Sequence, residues 1–487
     1  MGAHSHKSVN LTDRYVFDGA GQRRVIIGMV VGLAMFALGV ILMISGVGMS
    51  HDDHGASAGH GTEVHATAGH DAHAAAPADH GKTDAHAEAG HDAKATAGHD
   101  THAAAGHEAA AGHADHHGPT WLTRVYANLW LNSLFFFGIA LCGVFFVAIN
   151  YAAWAGWSAG FIRIPMAFGS YLPVGGAFIL AVFLLGHSEL FHWTDASLYD
   201  KASPNFDPIL DGKKAFLNLP FYLSRMVFFI GVWFLLWRMI RALSIKEDAE
   251  GGPKVTKFYD KIIVLAAVFI ITFAVGTSMM AWDWTMSIDS HWYSTLFGWY
   301  HFASWWVSAL STIALTVIYL KEKGHLQHVN ENHIHDLGKF MFGFSVFWTY
   351  LWFSQFMLIY YANIPEEIAY FYNRIDAWDQ HYRLGFFFML VPNFLFPLLF
   401  LMTRASKRSF LLIKIAAFAI LGGHYLDFYN MIMPGTAKDL GGFGFTEFGA
   451  LLFFACLFIY VVSKSVASLP LVPKNHPMLE ESIHHDI

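Results

Sequence analysis

Ten hydrophobic stretches, each long enough to cross a bilayer, occupy most of this chain and leave it few ways to fold. A spanning helix needs about 20 mainly apolar residues, and in hydrocarbon only helices and closed barrels satisfy their own backbone. The runs fall near 25–49, 130–154, 164–187, 219–240, 261–282, 295–320, 337–361, 382–402, 410–431 and 446–466. The expected fold class is therefore an all-α integral membrane protein with about ten transmembrane helices. Composition agrees: the chain is 55% hydrophobic and 14% charged, against about 25% charged for a soluble domain. The net charge of −7 lies mostly in loops and offers nothing basic enough for nucleic acid.

Orientation follows from the loops, because lysine and arginine accumulate on the cytoplasmic side. About 20 of the 30 basic residues fall on the side that carries both termini, including the cluster Arg238, Arg241, Lys246, Lys254, Lys257 and Lys261. About 9 fall on the other side, with Arg225 left inside a helix. Both termini are expected to be cytoplasmic. Arg23-Arg24 precede the first run, which is longer than the roughly 7–15 residues of a cleaved signal core. It reads as a retained helix.

The chain divides into 1–50 (tail and first helix), 51–119 (a low-complexity periplasmic loop), 120–294 (helices two to five), 295–445 (helices six to nine) and 446–487 (last helix and tail). The stretch from His51 to His117 holds 15 of the 30 histidines, with Ala-Gly-His-Asp at 68–71, 89–92 and 97–100. It has no periodic apolar face, so it reads as a solvated tract, with metal sequestration as the weaker alternative.

Ionisable residues in hydrocarbon are costly and mark candidate sites. Those of the spans cluster toward the periplasmic ends: His187, Glu189, His192 and Asp195 after the third helix, Arg225 in the fourth, and Asp283 between Trp282 and Trp284 at the end of the fifth. His301 follows in the sixth helix, Gln355 in the seventh, His381 at the start of the eighth, His424 and Asp427 in the ninth, and Glu447 at the start of the tenth. Such groups can relay protons or bind the two oxygens of a quinol headgroup. The expectation is one wet vestibule that opens to the periplasm. The plainer alternatives are a structural pair between Arg225 and Glu189 or Asp283, and solvated interfacial residues at Asp195, His381 and Glu447. No catalytic residue stands out.

Several chemistries are excluded. Cys142 and Cys456 are too few for a four-thiolate cluster, and no Cys-x-x-Cys-His attaches haem. The spans offer His187, His301 and His424, one per helix, so bis-histidine haems are not expected. Metal transport rests only on the histidine-rich loop, since His424 and Asp427 lie three apart and have no second copy.

Longer motifs add a resemblance. Ile364-Pro-Glu-Glu-Ile-Ala-Tyr-Phe-Tyr-Asn-Arg374, Gln380-His-Tyr-Arg-Leu-Gly385 and Pro392-Asn-Phe-Leu-Phe-Pro397 resemble the ActF family of alternative complex III membrane subunits, NrfD/PsrC-like proteins. Gly186-His-Ser-Glu-Leu-Phe-His192 and Ala281-Trp-Asp-Trp-Thr-Met-Ser287 are similar too, and the match covers roughly 120–466. The resemblance implies two four-helix bundles, helices two to five and six to nine, plus two peripheral helices, in a bacterial inner membrane. It implies a quinol:cytochrome c or quinol:oxidase electron-transfer complex using menaquinone or ubiquinone. This subunit would lack a redox centre and contribute a proton path, a quinone-binding surface or both. Expected partners are a paralogous NrfD-like membrane subunit, which is the better candidate for the main quinol pocket, an iron–sulfur subunit, c-type cytochrome subunits and a terminal oxidase. Haem and iron–sulfur clusters would reside in those partners. A structural scaffold and, more weakly, a metal or solute transporter are the alternatives.

Overall fold

A computed structural model describes residues 10–45, 118–251 and 256–486, apart from the side chain of Asp379. The histidine-rich tract and the metal reading attached to it lie outside the described residues. Among the described residues, ten helices are long and apolar enough to cross a membrane. They are α1 (Gly19–Ile44), α2 (Trp121–Ala152), α3 (Arg163–Leu190), α4 (Leu219–Glu250) and α5 (Lys257–Trp284). The remainder are α6 (Phe297–Glu322), α7 (Glu331–Ala362), α8 (Arg383–Phe400), α9 (Phe410–Thr436) and α10 (Phe445–Ala467). Among the described residues there is no strand, so the chain is an all-α, multi-pass membrane protein.

Local chemistry sets many of the boundaries. Thr120 caps α2, Asn218 caps α4 ahead of a proline in its first turn, and Asn330 caps α7. These side chains satisfy amide donors that a helix start leaves unpaired. Pro392 and Pro397 lie within α8, where residues Val391–Leu395 form a π turn, as expected when a ring removes a backbone donor.

Helices α2, α3, α4 and α5 pack on one another, and so do α6, α7, α8 and α9. The two groups meet where α2 and α5 cross α6, and α2 also touches α9. The α2–α6 crossing is close because Gly138 lies against the Trp305 indole, where a Cβ would collide. Phe145 of α2 stacks on Phe273 of α5 at 4.1 Å and meets Trp306 of α6 at 5.1 Å. Helix α2 is thus sheathed in protein, with 89% of its most apolar window buried, against 11% for α1.

Helix α1 reaches the rest of the protein mainly through α10. Gly32 faces the backbone of Gly449 and Phe453, Gly39 faces Thr446, and Gly28 faces the Cys456 thiol. Small residues four apart let two backbones approach closely, which is how helices associate in lipid without a hydrophobic driving force.

Both ends of the described chain lie on one face, hereafter the N-terminal face. There Leu471 N donates to Asp13 O at 2.9 Å, and Asp13 also accepts from Leu326 N and approaches His325 Nδ1 at 2.6 Å. The loops at 191–218, 285–296, 363–382 and 437–444 lie at the far face.

Candidate functional site

The far-face ends of the helices carry the polar residues anticipated from the sequence, in several closed arrangements and not in one open vestibule. The deepest lies between α6, α7 and α9. Asp427 has no solvent exposure. Tyr300 donates its phenol to Oδ1 of Asp427, Ser304 Oγ lies 2.5 Å from Oδ2, and Trp348 Nε1 donates to Oδ2 at 2.9 Å. His424, one turn away on the same face of α9, places Nδ1 at 3.6 Å from Oδ2, just beyond hydrogen-bond length. Neither ring nitrogen of His424 has a protein hydrogen-bond partner.

From Ser304, hydroxyls continue along one stripe of α6 at intervals of four. Ser308 donates to the Ser304 carbonyl at 2.7 Å, Thr312 to Ser308 at 2.8 Å and Thr316 to Thr312 at 2.7 Å. Each hydroxyl bonds back to its own helix. The stripe runs from Asp427 toward the N-terminal face.

On the far-face side of Asp427, a crevice lined by Tyr300, Gln355, Tyr370, Arg374 and Asn430 has room for about one water molecule. Gln355 Nε2 and Asn430 Oδ1 have no protein partner. Arg374, from the short helix Pro365–Ile375, donates from Nε to Asn430 O at 2.8 Å, from Nη1 to Tyr370 O at 2.6 Å, and from Nη2 to Met431 O at 2.9 Å. Its Nη2 also reaches Asp289 Oδ2 at 3.1 Å, and the Asp289 carboxylate is partly exposed. Burial pushes the Tyr370 phenol well above its ordinary range, so it stays neutral. Sequence reasoning passed over Arg374, although it closes the 364–374 motif. Its sequence signal was the turn of helix ending in arginine after Pro365.

Arg225 and Asp283 form a second arrangement, which settles the choice between Glu189 and Asp283. Nε meets Oδ2 and Nη2 meets Oδ1, both at 2.8 Å. Nη1 and Nη2 both donate to Phe216 O at 3.2 Å, and the guanidinium lies 4.0 Å from the Phe216 ring and 4.1 Å from Phe221. Tyr222 and Ser287 donate to the Asp283 carbonyl. With its charge bidentately paired and every guanidinium nitrogen hydrogen-bonded, this pair is structural in character.

Glu447, placed at the interface by the sequence reading, is instead buried. It accepts from Arg124 Nε at 2.8 Å, Asn128 Nδ2 at 3.0 Å and Gly444 N at 2.8 Å. His301 is buried on α6, with Nε2 3.2 Å from Thr285 Oγ1 and no protein partner on Nδ1, between Trp305 and Phe428. Glu189 accepts from Thr123 and, at 3.3 Å, from Thr120 at the head of α2, while His187 is half-buried beside Phe183. His192 and His381 are exposed and join none of these groups. Asp207 and His291 pair in the far-face loops. Against the opposing effect of burial, the Leu210 amide and His291 hold the Asp207 carboxyl below its ordinary value.

The N-terminal face carries buried titratable groups that sequence reasoning passed over: Glu247, His333 and His476. Glu247 lay hidden in the mixed-charge run Lys246-Glu-Asp-Ala-Glu250, which reads as a solvated helix end. Among the described residues, no group of three or more His, Cys, Asp or Glu is placed to hold a metal ion.

Comparison with models of known protein families gives no match, and no curated protein matches the chain.

Proposed function

We propose that this chain is a membrane subunit of a quinol-oxidising electron-transfer complex in a bacterial plasma membrane, and that its own contribution is a proton path. The observation that carries the reading is the position of Asp427. It is a carboxylate sealed inside the protein, joined through Ser304 to the hydroxyl stripe of α6 and bordered on its far-face side by the crevice that Arg374 lines, and Arg374 in turn bonds the partly exposed Asp289. Moving a proton across a membrane needs polar stepping stones or water, because a bare charge in hydrocarbon is expensive. Hydroxyls one helical turn apart stand about 6 Å from each other, so bridging water completes such a path. The crevice is too small for a quinone ring in this conformation, so the reading assigns quinol oxidation to a partner subunit.

Purification through a tag from native membranes in mild detergent tests membership: haem-bearing and iron–sulfur polypeptides accompany the chain. Isolation as a lone polypeptide that moves metal ions or solutes defeats the proposal. In the purified complex returned to vesicles, Asp427→Asn lowers protons moved per electron while leaving assembly intact.

A scaffold is the second reading, favoured by the completeness of the Arg225–Asp283 and Arg124–Glu447 pairs. It predicts that substitution at Asp427 disturbs subunit association before it alters proton stoichiometry.

A further inference from the structure

The basic cluster at the C-terminal end of α4 and the N-terminal end of α5, on the N-terminal face, has no part in a proton path. Between these two neighbouring helices lies a groove of about 570 Å³, open at one side, within the range of small-molecule sites. Met239, Ala242 and Leu243 of α4 and Val264 and Leu265 of α5 form its apolar walls, with Lys246, Lys261 and Asp260 at its mouth.

The register of the two helices sorts these residues by depth. Along α4, Met239, Leu243 and Lys246 recur every three or four residues and so lie on one face. On antiparallel α5, Lys261 precedes Val264 and Leu265 by the same spacing. Both lysines therefore lie about one turn beyond the apolar walls, at the same end of the groove, and both are exposed. Lys257 lies a further turn along α5. Of the nearby carboxylates, Asp248 is held by Arg163 at 2.6 Å and Glu247 is buried, whereas Asp260, which accepts from Thr256 at 3.0 Å, and the exposed Glu250 keep their charges, so Lys246, Lys257 and Lys261 outnumber them three to two. The mouth thus keeps a positive balance above an apolar slot.

We propose that this groove binds an anionic phospholipid, with the phosphate between Lys246 and Lys261 and an acyl chain along Met239, Leu243, Val264 and Leu265. The order of chemistry along the groove, cation then hydrocarbon, is the order of a phospholipid from headgroup to tail. A zwitterionic lipid offers the same tail but cancels its phosphate charge, and a free anion has no use for the apolar walls. Basic pockets between spans on the lysine-rich side of a membrane recognise such headgroups.

The test uses the full-length protein in mild detergent, titrated with dioleoylphosphatidylglycerol, dioleoylphosphatidylcholine or inorganic phosphate. Bound lipid is read by native mass spectrometry and stabilisation by thermal unfolding. Each basic side chain near an anionic headgroup is worth about fivefold in affinity, so the Lys246→Ala/Lys261→Ala variant should lose roughly 25-fold. Ala242→Trp, which fills the slot and keeps both charges, should lose retention of either lipid. Both sites are exposed, so both variants fold. Equal retention of the two lipids, or phosphatidylglycerol binding unchanged by the lysine substitutions, overturns the proposal. Stabilisation by inorganic phosphate equal to that by phosphatidylglycerol also overturns it, in favour of a plain anion site.

Discussion

Trp348 Nε1 on α7 donates to Oδ2 of Asp427 on α9 at 2.9 Å, deep in a part of the protein that no solvent reaches. Tyr300 and Ser304 from α6 complete the cradle, so three helices converge on one carboxyl group. Asp427→Leu leaves the Tyr300 phenol without an acceptor, at a cost of about 1–3 kcal/mol, while Trp348 Nε1 keeps Ser304 Oγ at 2.9 Å and Ser304 keeps the Tyr300 carbonyl at 3.2 Å. Asn in the same place keeps an acceptor oxygen. Thermal unfolding in detergent should therefore show a large drop for Asp427→Leu and a small one for Asp427→Asn. Similar drops for the two would mean that the cradle does not hold the carboxyl as described.

Arg225 and Asp283 respond differently, because each protects the other from burial without a partner. Arg225→Ala strands the Asp283 carboxyl and should cost about 3–5 kcal/mol. Lysine cannot reproduce the two-pronged contact or the face-on packing against Phe216 and Phe221, so Arg225→Lys should recover little. The double replacement Arg225→Met/Asp283→Leu should be less damaging than Arg225→Ala alone. Fluorescence-detected unfolding of the three variants checks the order.

The seam between α1 and α10 depends on missing side chains. A Cβ at Gly32 would fall 2.6 Å from Phe453 N. Gly32→Leu should push α1 away from α10 and leave the other nine spans folded, since α1 makes few other contacts. Gly28→Cys, facing Cys456, should form a disulfide under mild oxidation in the parent protein and lose it when Gly32→Leu is added. Persistence of that cross-link would show that the seam tolerates the bulk.

Acid should loosen the C-terminal tail. Burial, with Arg163 nearby, lowers the His476 imidazole from its ordinary 6.5 to about 4. Tyr151 and Tyr259 pack on its ring, and its Nδ1 accepts from Met478 N at 3.2 Å. The folded state therefore holds it neutral while the released tail takes up a proton. Stability from this group is complete above pH 6.5 and is lost as pH falls to about 4, in total about 3 kcal/mol. Limited proteolysis after residue 467 should accelerate across that window, and His476→Phe should flatten the profile.

The ten spans were legible because hydrophobicity is a local property, summed residue by residue over about 20 positions. Their observed bounds lie within several residues of the apolar runs at most ends, with larger extensions where capped or charged turns continue a helix, as at Trp121 and Glu250. The depth of His301, His424 and Asp427 was equally legible, since counting turns along a helix gives depth directly. Glu447 misled because its position one turn into α10 reads as interfacial, whereas Arg124 and Asn128 of α2 enclose it. Arg374 and Glu247 were missed because loops and helix ends are where charge is ordinarily solvated.

From the amino-acid order alone came the class of protein, the number and placement of spans, the shared side of the termini and the heights at which ionisable groups sit. Only the packed structure chose Asp283 as the partner of Arg225, gathered Tyr300, Ser304 and Trp348 around Asp427, and closed these groups off from one another. Those outcomes depend on which helix faces meet across hundreds of residues of sequence, and on single contacts such as Gly138 against Trp305 that set how closely two helices approach.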